Sequence, residues 1–86
     1  VAEETEARIE RALQEALTEI APEADLHRLD AERSLHAQLG IDSVDFLRFQ
    51  AALERTAGVS IPGAHGYRLA TPAGCRDYLR RKLTDP

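Results

Sequence analysis

The chain has 86 residues, 43% hydrophobic and 30% charged, with a formal net charge of −4, a single cysteine and neither tryptophan nor methionine. That length allows one domain, residues 1–86, with a limited core. A lone cysteine closes no internal disulfide, and His27, His36 and His65 lie too far apart for metal-ligand spacing, so neither a disulfide framework nor a metal centre is expected.

From about Glu3 to Ile20, the apolar residues Ile9, Leu13, Ala16, Leu17 and Ile20 recur at helix spacing among glutamates and arginines, and Pro22 ends the run. The start, Val1-Ala2-Glu3-Glu4, is acidic rather than signal-like, and no apolar run nears a membrane span. A cytoplasmic protein without a membrane partner is expected. Ala21 to Ile41 follows as a long first loop in which Leu26, Leu29, Leu35, Leu39 and Ile41 are spaced irregularly. Such a length without structure needs a reason, and the leucines predict a loop pinned across the helices. His36 reads as a polar loop residue without a role.

A second helix is predicted from Ser43, with Asp42 or Ser43 itself at the cap, to about Ala57, with Gly58 as its stop. On a helical wheel, Phe46, Phe49, Leu53 and Ala57 share one side. Val44, Leu47 and Ala51 occupy the other, beside Arg48 and Arg55. The aromatic stripe is assigned to the core and the smaller one to a partner; the competing reading buries both, or leaves Leu47 as an ordinary exposed leucine.

Val59-Ser60-Ile61-Pro62 reads as extended chain, and Gly63 to Leu69 as at best a short irregular helical turn. Thr71 as N-cap and Pro72 at the first helical position open a last helix through Leu83, with Cys75, Tyr78, Leu79 and Leu83 as its stripe. Cys75 reads as a core residue rather than a nucleophile. The basic run Arg80-Arg81-Lys82 reads as solvated charge complementing the helix dipole, and nucleic-acid binding is not expected. The sum is an all-α bundle of three main helices and one short one.

The chemistry concentrates at Leu39-Gly40-Ile41-Asp42-Ser43-Val44-Asp45. A serine at the mouth of a helix has an exposed hydroxyl, and the free N–H groups and dipole there favour an attached anion. These residues, with the apolar helix that ends at Gly58 and the Val-Ser-Ile-Pro segment, resemble the acyl carrier proteins, and the resemblance spans most of the chain. It implies that Ser43 accepts 4′-phosphopantetheine from coenzyme A through a phosphopantetheinyl transferase, which Asp42 helps to recognise. It also implies that the arm's thiol holds acyl groups as thioesters for acyl-loading and acyl-processing enzymes, and that the carrier is monomeric and not itself catalytic. Partners would read the second helix through Val44, Asp45, Leu47, Arg48, Ala51 and Arg55, although Asp45 would complement the helix dipole whatever its function. This chain departs from the usual acidic pattern by placing Arg48 and Arg55 on that face and Gly63-Ala64-His65-Gly66 after it. The departure points to a dedicated carrier in a specialised lipid or secondary-metabolite (polyketide-type) pathway. Ile41, where a peptidyl carrier usually has a second glycine, leans towards acyl cargo.

Two other classes compete. A serine hydrolase built on Ser43 fails because the motif is not a G-x-S-x-G elbow and the chain is short for a triad, oxyanion hole and pocket together. A helical interaction module, or degenerate carrier, would bind a partner through the second helix without a prosthetic group.

Overall fold

A computed structural model describes residues 2–84; Val1, the first residue of the acidic start, lies outside the described residues, as do Asp85 and Pro86. The order is α1 (Ala2–Ile20), a 3-10 turn at Leu26–Arg28, α2 (Leu35–Leu39), α3 (Ser43–Ala57), a 3-10 segment at Gly63–Leu69 and α4 (Pro72–Thr84). The described residues are helical without a strand, as the patterning predicted, and none of the helices is long and apolar enough to cross a membrane.

The periodic residues close into one core. Ile9, Leu13, Ala16 and Leu17 of α1 meet Phe49, Leu53 and Ala57 of α3 and Cys75, Tyr78 and Leu79 of α4, with Leu69 from the 3-10 segment. Helices α1, α3 and α4 bury most of the stripe their 3.6-residue period assigns, with Ile20, Phe46 and Leu83 at its edge, which removes apolar surface from water at about 25 cal/mol per Å². Cys75 is fully buried; its thiol donates to the Leu69 carbonyl at 3.3 Å, and desolvation pushes its pKa up to about 12. It is a core residue, in agreement with the sequence reading.

The long loop is pinned by its leucines and also by two glutamines. Leu26 and Leu35 are buried, while Leu29 and Leu39 pack against the edge of the core. Gln14 of α1 donates to the Ala24 carbonyl at 3.0 Å and accepts the Leu26 N–H at 2.9 Å. Gln38 donates to the Asp30 and Arg33 carbonyls and accepts the Asp30 N–H. Backbone bonds from Leu35 to Ala70 and from Ala73 to Ala31 tie the loop to the start of α4.

The loop also contains a helix that the pattern did not predict. Ser34 caps α2, accepting the Ala37 N–H, and Gly40 ends it in the left-handed region at φ 64°. Five residues are too few to display a period, so only the cap and the glycine could have announced it. His36 therefore lies on a helix rather than in a loop.

Ion pairs join α1 to α4. Arg76 holds Glu10 at 2.8 and 3.1 Å, and Arg80 holds Glu6 at 2.7 and 2.9 Å, each through two parallel N–H donors. The hydrogen bond from Arg80 holds the Glu6 carboxyl below its usual range. This corrects the reading of the basic run as simply solvated: Arg80 staples two helices, and Arg81 pairs with Asp77 at 3.4 Å.

Candidate functional site

The chain reaches α3 through a corner at Gly40, and the residue that caps α3 is Asp42. The Asp42 carboxylate accepts the Asp45 N–H at 2.8 Å, and the Asp45 carboxylate reaches back to the Asp42 N–H at 3.4 Å, a reciprocal capping box. Of the two cap residues the sequence allowed, Asp42 is the one used. Ser43 is the first residue of the helix, exposed, and its hydroxyl has no hydrogen-bond partner among the described residues.

The box leaves an electrostatic opening. It satisfies the Asp45 N–H, and Phe46 N–H bonds the Asp42 carbonyl at 3.0 Å. The N–H groups of Ser43 and Val44, at the first two helical positions, have no intrahelical acceptor and stand at the positive end of the α3 dipole. A monoanionic group esterified to the Ser43 oxygen fits there: the hydroxyl is free, the approach is open, and the local field favours negative charge.

The outer face of α3 divides as the wheel predicted. Phe49, Leu53 and Ala57 are buried, whereas Val44 is 65% exposed, Leu47 is 62% exposed, and Ala51 also faces outward. Leu47 stands beside exposed Val44 rather than alone. Phe46 lies at the rim of the core rather than inside it.

The arginines do more than line this face. Arg48 approaches Asp45 one turn back at 3.7 Å, whereas Arg55 crosses to α1 and ion-pairs with Glu19. The face therefore presents Arg48 and Arg55 each beside a carboxylate.

Three features around the site escaped the sequence reading. His36 of α2 stacks on Phe46, ring centroids 4.7 Å apart. Gln50, 5% exposed, turns inward and donates to the Pro62 carbonyl at 3.3 Å, tying α3 to the extended segment. Tyr67 on the 3-10 segment is 78% exposed. Stacking and inward-turned amides depend on contacts far apart in sequence; for Gln50, the only local signal was a polar residue beside the buried stripe.

A family model described as phosphopantetheine attachment site matches residues 7–79. That span contains α2, α3 and the serine at its mouth. No solved structure gives a significant match to the chain.

Proposed function

We propose that this chain, which belongs to the phosphopantetheine attachment site family, is a single acyl-carrier domain whose prosthetic group is attached at Ser43. Membership brings a covalently bound 4′-phosphopantetheine and a carrier role. Bound there, the group supplies a flexible arm whose thiol takes up acyl groups as thioesters. The observation that carries the assignment to Ser43 is the division of labour at the start of α3: Asp42 closes the cap, so the Ser43 hydroxyl stands exposed and unbonded.

The chain's own residues do three things in this account. The N–H groups of Ser43 and Val44 and the α3 dipole stabilise the phosphodiester charge. Asp42 fixes the turn and offers the transferase a carboxylate to read. Val44, Leu47 and Ala51 give partner enzymes an apolar contact, and Asp45, Arg48 and Arg55 set the charge around it. A tethered cargo then meets each docked enzyme at high effective concentration, and no catalytic base is required of the carrier. The arginines on this face favour a specialised lipid or secondary-metabolite pathway over general fatty-acid synthesis, since complementary charge governs encounter and partner choice.

The carrier reading is tested on protein purified from its native cells. Intact mass is expected to show a phosphopantetheine adduct, with a further acyl increment that hydroxylamine removes. An unmodified chain bound stably to a partner would instead favour the interaction module.

A further inference from the structure

We propose that His36 is a phosphate-binding residue, held over the first turn of α3 by its stack on Phe46 so that its imidazole edge meets the phosphodiester carried on Ser43. The proposal rests on Ser43 being the attachment serine. It concerns a side chain on a different helix from the one that carries the group.

The geometry begins with the stack. The two rings lie 4.7 Å apart between centroids and 26° from parallel, so one face of the imidazole is covered by Phe46. Phe46 is the third residue after Ser43, and side chains three apart on a helix leave it with Cβ atoms about 5–6 Å apart. A helical side chain also leans back towards the N-terminus of its own helix, which tips the Phe46 ring towards the turn that Ser43 begins. A ring resting on Phe46 therefore stands on the flank of α3 that a group on the Ser43 oxygen reaches. Gly40 ends α2 in the left-handed conformation, and Ser43 opens α3 three residues later.

The imidazole is placed but not satisfied. His36 is half-buried, and neither ring nitrogen has a hydrogen-bond partner among the described residues. His65 shows the contrast: its Nδ1 lies 2.7 Å from the Tyr78 hydroxyl. A histidine whose face packs and whose N–H edge is free is equipped to donate to an anion, as a neutral ring or, more strongly, as an imidazolium.

Two carboxylates at the start of α3 are already engaged with backbone donors. Asp42 and Asp45 are joined in the capping box, and Arg48, which approaches Asp45, leaves α3 on the side away from Phe46. On the chain leading into α2, Glu32 and Arg33 precede the Ser34 cap.

The test uses the loaded full chain. Loading is first established by intact mass and peptide mapping, and the phosphorus resonance of the phosphodiester is then followed by NMR from about pH 5 to 8. A phosphodiester does not titrate in this range, whereas an imidazole does, so a sigmoidal movement of the phosphorus signal reports a histidine beside it. The expected result is such a movement, shared with the C2 proton of His36 and flattened in His36→Gln but not in His27→Gln. In the wild type, the His36 ring protons are also expected to shift between unloaded and loaded protein, a readout that needs no variant. A phosphorus signal that is flat across the range, or that titrates unchanged in His36→Gln, would overturn the proposal. Loading at a residue other than Ser43 would be seen by mass before any titration; it would overturn the attachment reading and this proposal with it.

Discussion

The Asp42 carboxylate accepts the backbone N–H of Asp45 at 2.8 Å, and this one bond leaves Ser43, the first residue of the helix, its freedom. Had Ser43 been the cap, its oxygen would have been committed to a backbone donor. Because Asp42 holds that position, Ser43 opens α3 with its hydroxyl exposed, in the field of the helix N-terminus.

The same bond separates two roles for Asp42. Asparagine caps a helix about as well as aspartate, whereas alanine costs about 1 kcal/mol. We expect Asp42→Asn to melt close to the wild type yet to be loaded more slowly by a phosphopantetheinyl transferase, and Asp42→Ala to lose stability as well. Thermal melts beside loading time courses decide this. Loading of Asp42→Asn at the wild-type rate would remove Asp42 from transferase recognition and leave it a cap.

Gly74 is fixed by its surroundings rather than by its backbone angles. A Cβ there would stand 2.5 Å from the Arg68 carbonyl oxygen and 3.2 Å from the Thr71 hydroxyl, while at Gly63 it would meet nothing within 4 Å. Gly74→Ala is expected to cost about 1–3 kcal/mol, lowering the melting temperature by roughly 4–8 °C per kcal/mol in a domain of this size. Gly63→Ala should melt close to the wild type. Equal melting temperatures for the two variants would contradict the packing described at the α4 start.

These residues also mark what the sequence made legible. The starts of α3 and α4 are announced locally, by Asp42 beside Ser43 and by Thr71-Pro72, and Thr71 does accept the Gly74 N–H at 3.0 Å. The core faces of α1, α3 and α4 follow from periodicity, since burial and spacing have one physical cause. What stayed hidden depends on partners distant in the chain. Gln14 reads as a polar surface residue until it bonds Ala24 and Leu26, and the pairing of Arg55 with Glu19 of α1 has no local signal. His36 reads as a loop residue until α2 sets it on Phe46.

Cys75 makes the arm directly observable. It is the only cysteine, it is fully buried, and burial raises its thiol pKa to about 12. The native unloaded protein should resist thiol reagents at pH 8 and react with one equivalent after denaturation. The native loaded protein should react with one equivalent, at the arm. Because the folded pKa lies above the value of about 8.5 for an unfolded cysteine, the contribution is intact below that pH and is lost as pH rises towards 12. Cys75→Ser should therefore show a shallower alkaline loss of stability in denaturant titrations. Fast labelling of native unloaded protein would contradict the burial.

Arg48 and Arg55 test the partner face. Both pair with carboxylates on exposed sites, where ion pairs contribute at most about 1 kcal/mol, so Arg48→Glu/Arg55→Glu should remain folded by circular dichroism. Its turnover by the acyl-loading enzyme of its own pathway should fall on the order of tenfold, through the reversal of complementary charge. Unchanged turnover would show that charge on this face does not choose the partner.

The attachment of the prosthetic group at Ser43 is tested most directly by intact mass. Wild-type protein and Ser43→Ala are incubated with coenzyme A, magnesium and a broad-specificity phosphopantetheinyl transferase, with a second carrier as a loading control. We expect a gain of one phosphopantetheine on the wild type, mapped to the peptide containing Ser43, and none on Ser43→Ala. A gain that persists in Ser43→Ala, or no gain on the wild type while the control loads fully, would contradict the account.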